Sequence, residues 1–213
     1  MADRTTGPTP RDPYLTIAAS VRHEIERVKN SRFIGDARPV TSEDEARAAI
    51  EDIRAEMPDA SHHCYAYTLR TPDHFKFSDD GEPGGSAGRP ILARIQGLEL
   101  FDVVVVVTRY FGGTKLGVGG LVRAYGEAAA KALTAAEITT ITPKRSLGFA
   151  YAYEDTTMVE GALRTLEVKP VSTEYTDRVT SVLEIPDHDW TRVRETLLDL
   201  TAGRVTFRQD DES

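Results

Sequence analysis

Apolar residues recur along this chain in two rhythms, and the switches between them mark out its elements. Val21–Val40 has strand character, and the polar Lys29-Asn30-Ser31 within it predicts a hairpin turn. A helix follows. Thr41 or Ser42 can cap it, and Glu43, Asp44 and Glu45 suit the positive end of its dipole. Ala46, Ala49, Ile50, Ile53 and Met57 fall on one face, and Pro58 stops it. His62–Leu69 alternates as a strand, with Tyr65, Tyr67 and Leu69 on one side and Cys64 and Ala66 on the other. Residues 71–90 hold four glycines and three prolines and predict a long loop, a length uncommon inside a domain unless it is functional. Ile91–Gln96 predicts a short helix closed by Gly97. The unbroken valines of Asp102–Tyr110 predict a strand covered on both faces. After it, Phe111–Gly120 carries five glycines and opens into a long helix with Val122, Tyr125, Ala129, Ala132, Leu133 and Ala136 at helical spacing.

The remainder reads as a separate unit. Leu147, Phe149, Tyr151 and Tyr153 alternate as a strand, and Val159, Ala162, Leu163 and Leu166 make a helix. Val168–Tyr175 and Val179–Ile185 are two strands joined at Thr176-Asp177-Arg178. Trp190, Val193, Leu197 and Leu200 make a second helix, capped by Asp187 and ended by Gly203, before a last strand at Val205 and Phe207. That order is βαββαβ, the ferredoxin-like split motif. The fold class is therefore α+β, with a mobile tail over 1–13, a first domain over 14–137 and a second over 138–213.

Composition narrows the chemistry. The 213 residues include 26 Lys and Arg against 34 Asp and Glu, a formal charge of −8. Residues 1–137 hold 17 basic and 20 acidic side chains, and 138–213 hold 9 and 14, so neither half has a basic footprint for nucleic acid. The exception is local: over 86–131, Arg89, Arg94, Arg109, Lys115, Arg123 and Lys131 face only Glu99, Asp102 and Glu127. The single cysteine, Cys64, excludes an internal disulfide. The polar start predicts no signal peptide, no apolar run suits a membrane span, and a cytoplasmic location is expected.

Two glycine loops carry the candidate chemistry. The second runs from Arg109 through Gly112, Gly113, Lys115, Gly117, Gly119 and Gly120 to Arg123. Glycine allows close backbone approach, and a helix N-terminus directs free N–H groups at an anion. These residues are candidates for phosphate or RNA; the alternative is a tight strand-to-helix connection. The Walker A and dinucleotide patterns both fail, since Lys115 is followed by Leu116 and the third dinucleotide glycine falls on Val122. In the first loop, Asp79, Asp80 and Glu82 are either a carboxylate cluster for Mg²⁺ or an acidic turn pairing with the basic loop. His62 and His63 point to opposite faces of their strand and cannot chelate together, although His62 can reach a loop carboxylate. Cys64 is a nucleophile only with a base nearby, and otherwise a small core residue. No metal site and no cofactor are expected.

Ser31-Arg32-Phe33-Ile34-Gly35, the His62 strand through Tyr65-Ala66-Tyr67, Asp79-Asp80-Gly81-Glu82-Pro83 with Gly85-Ser86-Ala87-Gly88-Arg89-Pro90, and Arg109-Tyr110-Phe111-Gly112-Gly113 through to Tyr125 together resemble the IMPACT/YigZ family. The C-terminal unit resembles the extra domain of its bacterial two-domain branch. The resemblance implies a first domain with a left-handed βαβ unit, like a ribosomal protein domain and domain IV of elongation factor G, and a second like domain V of that factor. It also implies a translation-associated role, since eukaryotic members regulate translation. The expected function is a non-enzymatic factor meeting the ribosome, RNA or a translation-related protein through its glycine loops. A protein partner at the second domain is a further expectation. The alternative is a binder of, or enzyme for, a phosphorylated small molecule held at the second loop.

Overall fold

The computed structural model describes residues 12–70 and 75–208. The tail expected over 1–13 lies outside the described residues except for Asp12 and Pro13. The chain divides into two compact units, one over Tyr14–Ile141 and the other from Thr142 onward. In the first, the elements run β1 (Tyr14–Ile17), β2 (Val21–Glu24), β3 (Arg32–Pro39), α1 (Glu43–Glu56), β4 (His62–Thr68), β5 (Phe75–Ser78), α2 (Gly88–Gly97), β6 (Val103–Tyr110), α3 (Val118–Ala135) and β7 (Ile138–Ile141). The unit runs past the expected limit at residue 137 because β7 pairs antiparallel with β1, Ile138 opposite Ile17 and Ile141 opposite Tyr14.

Five strands form the main sheet in the order β2-β3-β6-β4-β5, with every neighbouring pair antiparallel. Lys29 (φ 47°) and Asn30 (φ 67°) both take left-handed backbone conformations between the β2 and β3 sides, which suits the twist of a hairpin. β6 lies at the centre and is covered on both faces. Val103, Val105 and Val107 pack with Ile91, Leu92 and Ile95 of α2 and with Tyr125, Ala129 and Leu133 of α3. Val104 and Val106 pack with Ala46, Ile50 and Ile53 of α1.

This arrangement fixes the chirality of the crossovers. β3 and β4 are parallel and joined through α1; β5 and β6 are parallel and joined through α2, each crossover skipping one strand. Turning the sheet half a turn in its own plane superimposes the two paths, yet their helices cover opposite faces. One crossover is therefore right-handed and the other left-handed, an exception to the usual rule for βαβ units.

Several expectations shift. The run 71–90 is not all loop: Phe75–Ser78 forms β5 against β4, because the alternation in Phe75-Lys76-Phe77 turns Phe77 onto the core. α2 begins at Gly88, earlier than Ile91, because a distant carboxylate serves its first turn, as described below. α3 begins at Val118, so Gly119 and Gly120 are helical. Its buried face includes Leu121, Ala124 and Ala128, while Val122 lies on the flank at 38% exposure.

The second unit contains β8 (Lys144–Tyr151), α4 (Thr156–Thr165), β9 (Pro170–Tyr175), β10 (Val179–Pro186), α5 (Asp187–Leu200) and β11 (Thr206–Phe207). Its sheet order is β11-β8-β10-β9, all antiparallel, which is the ferredoxin-like split βαβ arrangement. Leu147, Phe149 and Tyr151 pack on Val159, Leu163, Val193 and Leu197. Tyr153 leaves the strand for a 3₁₀ turn and is exposed. Asp187 is not the cap of α5 but its first residue, and its carboxylate faces Arg145 at 3.6 Å.

Candidate functional site

The first glycine loop is folded around its own acids. The Asp79 carboxylate accepts the backbone N–H groups of Gly85 (2.7 Å), Ala87 (2.9 Å) and Gly88 (2.8 Å), so it sits at the N-terminus of α2. Burial raises its pKa, but the three N–H donors outweigh this and hold it below the ordinary carboxyl value. Asp80 accepts from Arg54 Nη2 at 2.8 Å and from the His63 N–H at 2.6 Å. His62 Nδ1 lies 2.8 Å from the Asp80 carbonyl oxygen. Glu82 accepts from Arg109 Nη1 at 2.5 Å and from the Tyr125 hydroxyl at 2.7 Å, with His62 Nε2 3.8 Å away.

The three acids thus serve three different sets of partners. Among the described residues no group of three or more His, Cys, Asp or Glu side chains is placed to hold a metal ion. Of the two readings of this loop, the acidic turn paired with the basic segment is the one the Glu82–Arg109 contact matches.

That contact corrects the reading of Arg109. Its side chain is 5% exposed and that of Glu82 is 4% exposed, so the pair is internal. Arg109 Nη2 also reaches Ser31 Oγ at 3.4 Å, and its guanidinium lies 5.5 Å from the Phe33 ring centre and 5.4 Å from that of Phe111. It is not free to hold an anion. Cys64 is fully buried, and its thiol donates to the Asp79 carbonyl at 3.0 Å. Burial, assisted by the loop carboxylates, pushes that thiol up to about 12, so it is a core residue and not a nucleophile.

The second loop differs in kind. Gly112 packs where a Cβ would lie 2.2 Å from the Asn30 carbonyl carbon, and its N–H donates to Ser31 Oγ at 3.0 Å. Glycine there lets the end of β6 close onto the β2–β3 hairpin. Gly113, Lys115 and Gly117 are exposed. Gly117, at φ 71°, precedes α3, which has neither a side-chain cap nor an acid in its first turn. Arg123 is exposed and its Nη1 lies 3.8 Å from a Cβ built on Gly119, back over that first turn. The Arg94 guanidinium lies 3.4 Å from a Cβ built on Gly126, one turn along α3 from Arg123. Among the described residues Arg94, Lys115, Arg123 and Lys131 have no ion-pair partner, whereas Arg22, Arg32, Arg38, Arg47 and Arg54 all have one.

The candidates therefore separate into two groups. His62, Glu82 and Arg109 share an internal network with Tyr125 and Ser31; Lys115, Gly117, Gly119, Gly120 and Arg123 line an open surface. The hydroxyls of Ser31 and Tyr125 carried no signal of their own, because the turn and the apolar stripe of α3 account for both residues.

Residues 29–133 match the Impact N-terminal domain, and 149–204 match a domain of unknown function (DUF1949). The chain is 36% identical over 204 residues to the IMPACT family member YigZ of Escherichia coli, covering 94% of this chain and 100% of that one. It is 31% identical over 93 residues to Protein IMPACT of Xenopus laevis, covering 42% of this chain and 30% of that one. A solved structure titled as a crystal structure of an hypothetical protein shares 34% identity at a TM-score of 0.68, covering 95% of this chain and 99% of that chain. With two domain matches in order and a relative matched along its whole length, the chain belongs to the IMPACT family.

Proposed function

We propose that the protein is a non-enzymatic, translation-associated factor that contacts ribosomal or other RNA at the second glycine loop and the neighbouring faces of α2 and α3. One observation carries this reading: in a chain of net charge −8, Arg94 of α2, Lys115 of the second loop, and Arg123 and Lys131 of α3 have no carboxylate partner among the described residues. Cations that a protein does not neutralise internally are available to a polyanion. The translation role and the likeness to elongation factor G domains, both only implied by the family resemblance, point in the same direction by analogy of fold. Arg109 and the first loop have no part in direct contact; their charges are used inside the unit.

The test is co-sedimentation with ribosomes together with RNA binding across a salt series. Each phosphate contact should contribute about 0.7 to 0.9 log units of affinity per log unit of salt. Lys115→Ala with Arg123→Ala should weaken binding and flatten that slope. No co-sedimentation and no RNA binding at low salt would end the proposal. Stabilisation by a nucleotide or phosphosugar, about 2.7 kcal/mol at 100 times its Kd, would instead assign the loop to a small phosphorylated ligand.

A further inference from the structure

Phe111 follows β6 with 49% of its surface exposed, yet both its backbone and its ring are held. Its N–H donates to Ser61 Oγ at 3.0 Å, and the next N–H, from Gly112, donates to Ser31 Oγ at the same distance. The Arg109 guanidinium lies 5.4 Å from its ring centre and 5.5 Å from that of the fully buried Phe33. Arg109 is in turn fixed by Glu82, which Tyr125 also holds. A buried ion pair, a buried ring and two serine hydroxyls thus converge on one aromatic that remains half open to solvent.

Single exposed aromatics need no explanation. A pinned one with a fixed cation behind it does, because desolvating Arg109 and Glu82 costs free energy that a simple strand-to-helix connection does not require. A rigid ring loses little conformational entropy on binding, and an open aromatic face in a cationic surrounding suits an unpaired nucleobase. Lys115 follows four residues later in the same exposed loop, and Arg123, in the second turn of α3, reaches back over the first turn that this loop opens into.

We infer that Phe111 is a stacking platform for an unpaired base of single-stranded RNA, with Arg109, anchored by Glu82, as the positioning residue behind it. This rests on the RNA reading above and names the form of RNA it takes. A duplex keeps its bases stacked on one another and offers no free base face.

The experiment uses the full chain, a 12-nucleotide oligo(A) RNA, the same strand annealed to oligo(U), and poly-glutamate as an acidic control. Phe111→Ala should weaken oligo(A) binding about 5- to 100-fold while leaving the salt slope unchanged, since no phosphate contact is lost. Lys115→Ala and Arg123→Ala should each lower the slope by about 0.7. Arg109→Lys keeps the charge but loses the planar fork that reaches Glu82 and Ser31 together. It should weaken binding with the slope unchanged, and the double variant with Phe111→Ala should bind no worse than Phe111→Ala alone. A purely structural role for Arg109 would not give that non-additivity. Phe111→Trp preserves a ring, so it should bind like the wild type, and its emission should be quenched by oligo(A) beyond the signal of the single native Trp190. Binding of Phe111→Ala within twofold of wild type, with the Lys115 and Arg123 variants impaired, would overturn the platform and leave the RNA reading standing. Equal affinity for the duplex, or quenching by poly-glutamate instead of RNA, would also overturn it. Absence of any RNA binding by the wild type would overturn both.

Discussion

Replacing Asp79 by asparagine removes one charge and one acceptor with almost no change of shape. The wild-type carboxylate takes Ala87 and Gly88 N–H groups on Oδ1 and the Gly85 N–H on Oδ2. Asparagine keeps the first oxygen but sets its NH₂ against the Gly85 N–H, donor facing donor. A hydrogen bond to a charged group contributes about 1.5–3 kcal/mol, and a negative charge at a helix N-terminus about 0.3–1 kcal/mol more. Asp79→Asn should therefore cost about 2–4 kcal/mol. At about 3–5 °C per kcal/mol for a unit of this size, its melting transition should fall by roughly 6–20 °C. Thermal melts of the full chain by circular dichroism read this at pH 7. The pH dependence sharpens the test. The folded carboxyl lies below its ordinary 3.8, so its contribution is present above that value and lost as pH falls through the depressed folded one. The gap between wild type and variant should be constant from pH 5 to 8 and narrow below about pH 3.8. A variant melting within about 2 °C of wild type at pH 7 would refute the capping role. A Mg²⁺-dependent rise in wild-type stability that Asp79→Asn abolishes would return a metal to this residue.

Further substitutions probe the rest of the unit. Glu82→Ala strands a buried guanidinium and the Tyr125 hydroxyl, so urea unfolding should show a loss of about 3–5 kcal/mol, much of it recovered by adding Arg109→Met; a loss under about 1 kcal/mol would count against the pair. Gly112→Ala drives a Cβ to 2.2 Å from the Asn30 carbonyl carbon and should destabilise by more than about 2 kcal/mol. Gly84→Ala meets nothing within 4 Å and should stay within about 0.5 kcal/mol; equal effects would show that the hairpin yields. Burial first, then hydrogen bonds to Asp102 and Glu43, push Tyr14 and Tyr67 up to about 12, and burial raises Tyr125 as well. Their contribution is lost only as pH rises from about 10 through those folded values. Absorbance titration at pH 11 should thus leave at least these three of the eight tyrosines protonated, and Tyr14→Phe should remove one late-titrating group. Full ionisation while circular dichroism still reports a folded chain would contradict the burial argument.

What the sequence disclosed was what local chemistry decides. Ser42, the acids of 43–45 and the stripe ending at Met57 lie within one helix, and α1 forms as they predict. The five valines of β6 require cover on both faces whatever supplies it, and the βαββαβ alternation after Thr142 follows from spacing alone. Contacts across long separations were not disclosed. Arg109 counts as surface charge until Glu82, 27 residues earlier, is folded against it. Asp79 resembles a metal ligand until α2 starts nine residues later with its N–H groups directed back at it. β5 is four residues ahead of a glycine- and proline-rich run, too short for its alternation to stand out until β4 supplies the partner edge.

The two glycine loops then differ by where their charge goes, and that difference makes a net charge of −8 compatible with the proposed RNA contact. In the first loop every acid is matched by a backbone N–H, an arginine or a tyrosine of the same unit, so its glycines serve to wrap chain around carboxylates. In the second, Arg109 is taken up by Glu82, but Lys115 and Arg123 have no carboxylate partner among the described residues. At physiological salt, fields decay over about 8 Å. A phosphate beside Lys115 and Arg123 therefore responds to those groups, while acids farther away on the surface are largely screened. Net charge determines whether the whole surface attracts a polyanion; which charges remain unpaired determines where a single contact can form.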